Sequence, residues 1–406
     1  MTRAGRGLST LLAAAIAALA FNLRAAITSL PPIFPELSAR LGLSGTAITV
    51  LATIPVVCFA LVSGVAAPLS RRFGEERVLL AALGLLTAGL TLRGALPGAL
   101  LFPGTVLASA AIALMNVLLP SLIKRRQPGR AGLLIGMYLL SLAVGSVLGS
   151  LLAVPAYRSA DHAGWLGGPV RFALWLWAVP AVVAFLAWLP QWRYRTVPAP
   201  AAGRVAVARQ ALAWQVTAFM GLQSLSYYAT LSWLPTLLRD RGASATQAGN
   251  LLALMNLGGV VTSLLIPVLA QRLSGQRPLV LPTIAGTALG IAGSLYGPLG
   301  TAWAPILLLG LCQGSALSLA IFFTMARAPD AVSAASLSGL AQGWGYLLAA
   351  CGPLTVGLLH ASTGGWDVPI ALLLALSGVQ LAAGWLAGRG RVLSVTTVTA
   401  PRRADP

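Results

Sequence analysis

Acidic side chains are nearly missing from this chain: Asp and Glu number 8 among 406 residues, and all charged types together reach 9%. A soluble globular protein carries about 25% charged residues, so a water-facing exterior is excluded. Histidine is scarcer still, with His162 in a loop between apolar runs and His360 at the end of one. No nucleophile–base spacing, phosphate-cradling glycine loop or metal-ligand cluster is found. An enzyme, an ATP-driven pump and a resident cofactor therefore drop out of the expected functions. The cysteines Cys58, Cys312 and Cys351 are odd in number, lie in apolar runs and lack ligand spacing. Neither a disulfide framework nor a zinc site fits them. The alternating pattern of a β-barrel is missing as well.

What fills the chain instead is apolar: 57% of it is hydrophobic and its mean hydropathy is +0.85. Apolar runs of about 20 residues recur along the whole length, each able to cross a hydrocarbon core of roughly 30 Å as a helix. Backbone groups in lipid must pair within their own segment, which selects helices. The expected fold is an all-α membrane protein with twelve spans at 8–32, 45–69, 77–93, 99–122, 131–154, 170–189, 211–236, 246–270, 278–297, 303–325, 335–359 and 367–388.

A net charge of +19 would suggest nucleic acid in a soluble protein, but here the arginines cluster in the connections between spans. If the N-terminus is cytoplasmic, twenty of the basic residues fall on the inner side and six on the outer. That bias predicts both termini inside, with the lipid bilayer and a small solute as partners, no nucleic acid, and a monomer. The N-terminal run ends one possible signal-peptide reading at Ala18-Leu19-Ala20. It continues to Pro31, however, so retention as the first span is expected.

The Pro/Ala/Arg-rich stretch 191–210 divides the spans six and six. The expected organisation is a half at 1–190, a cytoplasmic linker at 191–210, a second half at 211–390 and a tail at 391–406. The halves repeat. "FPELSARLGLSGT" (34–46) aligns with "LPTLLRDRGASAT" (234–246) at an offset of 200, matching Pro35 to Pro235, Gly42 to Gly242, Ser44 to Ser244 and Thr46 to Thr246. Each Ser or Thr there is a good helix N-cap. Two parallel six-helix halves form a transporter architecture.

After the second span, "APLSRRFGEER" (67–77) keeps Arg72, Gly74 and Arg77 of the gating-loop motif of the major facilitator superfamily, which the chain resembles. Arg71 and Glu76 depart from that motif with exchanged charges. The stretches "NLRAAITSLPP" (22–32), "NVLLPSLIKRRQPGRAGLLIGMY" (116–138) and "QSLSYYATLSWLPTLLRDRG" (223–242) together look like the cyanate/2-nitroimidazole transporter family within that superfamily. The resemblance implies a bacterial inner-membrane carrier of small solutes. It also implies a fold of two pseudo-repeated halves, without fixing cargo or direction.

Arg24 is the candidate centre. An arginine near a span's middle costs about 2.5–3.5 kcal/mol on insertion scales, and no Asp or Glu lies mid-span to balance it. Either it bonds backbone carbonyls or Asn22, or it is a fixed cation for an anionic or strongly dipolar substrate. Candidate partners inside other spans are Asn116, Tyr138, Gln223, Tyr227, Tyr228, Asn256, Gln313, Gln342 and Trp344, with Gln223 and Tyr227 spaced i,i+4 on one stripe. Each alone reads equally as interhelical glue. The glycines Gly136, Gly145 and Gly149 begin an antiporter-like pattern, for which close helix packing is the plainer account. The expected function is a secondary transporter of a small anionic or polar solute working by alternating access. A drug exporter, with a larger aromatic site, is the nearest alternative. A sensor or channel is the alternative from another class.

Overall fold

The computed structural model describes residues 3–165, 167–197 and 207–394. Parts of the expected linker and tail, with Arg204, Arg402, Arg403 and Asp405, lie outside the described residues.

Among the described residues there are twelve helical passes and no strand. They run Arg3–Thr28, Gly45–Phe73, Glu75–Ala95, Pro97–Arg126, Ala131–His162, Pro169–Trp175 continued by Ala178–Trp188, Ala211–Asp240, Ala245–Gln271, Arg277–Tyr296, Trp303–Ala326, Ala331–Thr363 and Asp367–Ala387. Below they are called the first to twelfth helices. Eleven of the passes are long and apolar enough to cross a membrane. The seventh is long enough but carries Gln223, Ser224, Ser226, Thr230 and Ser232 in its middle, and most of its length is buried against other helices.

Two spans expected to be continuous are broken, and proline explains both. The first helix stops at Thr28. A 3-10 turn at Pro31–Ile33 and a short helix at Phe34–Leu41 follow, because Pro31 and Pro32 have no N–H to extend the ladder. The sixth pass breaks at Leu176 and Trp177, where Pro180 lacks the N–H that would bond the Leu176 carbonyl.

The internal repeat extends to backbone detail. Gly42 and Gly242 both take a positive φ, 64° and 98°, which ends the preceding helix at little steric cost. Leu43 N–H then bonds the Ser38 carbonyl and Ala243 N–H the Leu238 carbonyl. Ser44 and Ser244 cap the next helices by accepting from Ala47 N–H at 3.2 Å and Gln247 N–H at 3.1 Å. Helix pairing repeats as well. The first helix packs on the fifth and sixth as the seventh packs on the eleventh and twelfth. Gly145 lies so close to the Phe21 carbonyl that a Cβ would fall 2.2 Å from it, and the equivalent Gly345 faces Gly221 at 3.4 Å. The second helix meets the eleventh and the fifth meets the eighth, joining the halves.

Those joins are dense at one end of the bundle, the end opposite the two termini. There Arg239 donates to both Glu36 oxygens at 2.7 and 2.8 Å, Phe34 packs on Trp233 at 6.3 Å and Arg158 donates to Thr246 at 3.0 Å. A Cβ on Gly357 would strike Thr49 and Trp233. Toward the end that carries the termini, Gly64, Gly132, Gly136, Gly339 and Gly343 face open space. The far end is closed.

Candidate functional site

Arg24 projects from the first helix into the seam between halves. It is half-buried, so solvent-sized space reaches part of the side chain, yet its Nη1 is enclosed and has no hydrogen-bond partner. The guanidinium lies over the Tyr227 ring, 5.6 Å from its centroid, a cation–π contact made across the halves. Tyr228, Tyr346 and Tyr138 complete its surroundings. No carboxylate among the described residues pairs with it. Among the described residues Arg24 donates neither to a backbone carbonyl nor to Asn22.

Asn22 does not join it. Two residues apart on a helix, side chains point to nearly opposite faces. Asn22 is 1% exposed, and its amide donates to the Ala18 and Pro180 carbonyls, tying the first helix to the sixth. Thr28, one turn beyond Arg24, donates to the Ser146 carbonyl and fixes the same helix to the fifth. Arg24 is thus held by polar bonds on both flanks.

From Tyr227 a polar line runs back across the seam. Its hydroxyl meets Asn256 Oδ1 at 3.4 Å, and Asn256 Nδ2 donates to Ser150 Oγ at 3.1 Å. Asn256 therefore bridges the eighth and fifth helices as well as touching the tyrosine. Gln313 is buried and donates to Ser226, inside the C-terminal half. Gln223 is buried and accepts from Ser224. Asn116 is half-buried. Gln342 is exposed and donates to Ser338. Trp344 is 56% exposed and packs on Trp214 at 6.0 Å. Being two residues from Tyr346, it points to the opposite face from the arginine cluster.

The expected gating loop is a tight joint between the second and third helices. Gly74 has φ 88°, and a Cβ there would sit 2.8 Å from Arg195 Cγ. Arg195 also donates to the Arg72 carbonyl, and Arg77 lies over the Trp192 ring at 5.2 Å. Glu75 and Glu76 are buried at the start of the third helix. They pair with Arg125 at 3.4 Å and Arg126 at 3.7 Å, so Glu76 is matched to the fourth helix. Arg93, assigned from sequence to an outer loop, is 1% exposed. It donates to the Ala26 carbonyl, which the prolines at 31 and 32 leave near the broken end of the first helix. Hydropathy alone gives no sign of that inward turn. Gly145 and Gly149 both press on the first helix, Gly149 against Thr28 and Ala25, whereas Gly136 meets nothing. Close packing accounts for the first two.

Residues 10–353 match the sequence model described as Major Facilitator Superfamily. The chain belongs to this superfamily. Within it, the chain is 38% identical over 385 residues to the 2-nitroimidazole transporter of Escherichia coli (strain K12), covering 94% of this chain and 96% of that one. Identity to the Cyanate transport protein CynX of the same organism is 29% over 354 residues, covering 85% and 88%. Membership in the cyanate/2-nitroimidazole transporter family follows. Among solved structures, a bacterial homologue of the human lysosomal transporter Spinster superposes with a TM-score of 0.77 at 15% identity, covering 96% of this chain and 98% of that one. At that identity the likeness concerns the fold. As a superfamily transporter, the protein is an all-α, multi-pass membrane protein that handles a small-molecule solute.

Proposed function

We propose that this protein moves a small anionic or polar solute across the bacterial inner membrane by alternating access, as a monomer without cofactor. Both termini are cytoplasmic in this reading, so the far end closed here faces the periplasm. The observation that carries it is Arg24: a half-buried side chain with one enclosed guanidinium nitrogen that has no partner, and no carboxylate among the described residues to neutralise it. A planar guanidinium offers a fork of donors suited to an anion. The 2-nitroimidazole and cyanate transport proteins, as named, handle small solutes of that kind.

Because Arg24 belongs to the first helix and Tyr227 to the seventh, a substrate bound between them is held by both halves. Rocking of 1–190 against 211–390, linked through 191–210, closes the cytoplasmic end around it and opens the far end. The Glu36–Arg239 pair and the Asn256–Ser150 bond then break, while the ties within each half persist. Asn116, Tyr138, Gln223, Tyr228 and Gln313 shape or support the pocket. Counterflow with purified protein in liposomes tests the reading. Trapped and external small anions should exchange saturably without ATP, and organic cations should not compete. Flux that neither saturates nor exchanges would refute it.

A further inference from the structure

The neighbours of Arg24 are rings: Tyr227, Tyr228, Tyr346 and Tyr138. Tyr227 lies under the guanidinium and meets Tyr228 edge-on at 5.2 Å. Tyr228 in turn packs on Phe59 of the second helix at 6.0 Å, and Phe59 packs on Tyr346 of the eleventh at 5.8 Å. These contacts form one continuous aromatic wall, contributed by both halves. Tyr227 and Tyr346 are half-buried and so reachable, whereas Phe59 and Tyr228 are enclosed behind them. The Tyr227 hydroxyl is already committed to Asn256.

This composition discriminates between anions. A compact inorganic anion spreads its charge over every face and needs donors all round. Here the charged donors come from one guanidinium fork, and its other neighbours are phenol rings that offer apolar faces and edges beside their single hydroxyls. An anion with one charged end and a flat apolar body satisfies both: the head takes the guanidinium, and the body lies among rings in offset or edge-on contacts. A carboxylate head matches the fork two bonds at a time. With no second cation or acid among the groups around Arg24, a single charge is matched and a second is not.

We infer that the Arg24 site is built for a small aromatic monocarboxylate, with the reachable rings of Tyr227 and Tyr346, backed by Phe59 and Tyr228, selecting the flat ring. The inference rests on the anion-transport reading above, and the probes are chosen so that the two fail separately. Benzoate, cyclohexanecarboxylate, acetate and cyanate are compared as competitors of benzoate counterflow and by thermal shift in detergent. Cyclohexanecarboxylate has the same charge and nearly the same bulk without the flat ring. Benzoate should compete at least tenfold better than cyclohexanecarboxylate and further still above acetate and cyanate. Phe59→Leu, which keeps the site apolar and filled, should shrink the benzoate-to-cyclohexanecarboxylate ratio toward one. A Phe59→Leu protein that is thermally unstable is replaced by Tyr346→Leu, read the same way. Equal competition by the two ring carboxylates, or an unchanged ratio in both variants, overturns the aromatic class and leaves the anion reading standing. Absence of any Arg24-dependent anion exchange overturns both.

Discussion

Replacing Arg24 separates a substrate anchor from a structural arginine, and the structure sets the sizes expected. In the free protein its visible interactions are a cation–π contact with Tyr227 at 5.6 Å and the approach of Tyr228, while Nη1 has no partner. Truncation to Ala forfeits roughly 0.5–2 kcal/mol of cation–π attraction and relieves an enclosed unpaired donor worth about 1–3 kcal/mol. These terms nearly cancel, so the melting temperature in detergent should move by only a few degrees, roughly the effect of 1 kcal/mol. Binding behaves differently. A carboxylate held by the fork loses one charge-assisted bond in Arg24→Lys, about 1.5–3 kcal/mol, or roughly 10- to 100-fold in Kd. Arg24→Ala loses the whole pairing, about 2–5 kcal/mol, which takes binding out of the measurable range for a substrate of ordinary affinity. The assay pairs ligand-induced thermal shift with counterflow for the wild type and both variants. A folded Arg24→Ala protein that binds and exchanges normally refutes the anchor. So does one that fails to fold while Arg24→Lys folds and transports.

The far-end pair between Glu36 and Arg239 joins the halves only while that end is closed. Arg239→Glu should raise labelling of a cysteine at Thr49 by an externally added thiol reagent, and Glu36→Arg combined with Arg239→Glu should return labelling toward wild type. If the single variant leaves labelling unchanged, the pair is not a latch. Gly145→Val should abolish folded protein, since its side chain would enter the Phe21 carbonyl, whereas Gly136→Val should express and transport normally. Loss of exchange with intact folding in the Gly136 variant would revive a transport role for that glycine. Reporter fusions after Arg125 and Arg204 should read as cytoplasmic, and those after Asp161 and Asp240 as periplasmic. A periplasmic signal at Arg204 would break the two-half arrangement.

Much of the fold can be read from the sequence because lipid leaves few choices. Runs of about 20 apolar residues become helices, and the Gly-x-Ser-x-Thr repeat marks matching turns, seen here as Gly42 with Ser44 and Gly242 with Ser244. The seventh pass, read at 211–236 as one of the apolar runs, is a helix although its hydropathy is weaker than that of its neighbours. Helix faces are less legible. In helices apolar all round, periodicity does not distinguish a neighbour from lipid, so Trp344 and Tyr346 look alike on paper and point to opposite sides. Arg93 reads as a loop residue because a charge near a span end usually snorkels. Its inward turn depends on the Ala26 carbonyl, 67 residues away and near the broken end of the first helix. The burial of Glu75 and Glu76 is equally hard to read, since their partners, Arg125 and Arg126, are about 50 residues away. Arg24 stands out in the sequence because its cost is local and its missing acid can be counted.

The polar seventh helix has a consequence for how the chain is made. A segment below the hydropathy of its neighbours partitions weakly from the insertion channel into lipid when presented alone. Its cover comes mainly from the eleventh and twelfth helices, with a share from the tenth, all synthesised later. The ribosome must therefore complete most of the C-terminal half before the seventh helix has its permanent surroundings. Until then the helix has to be retained beside the channel or chaperoned within the membrane. Chains ended near residue 300 should accordingly leave Ala211–Asp240 accessible to water-soluble probes, with the eighth helix free to insert in either direction.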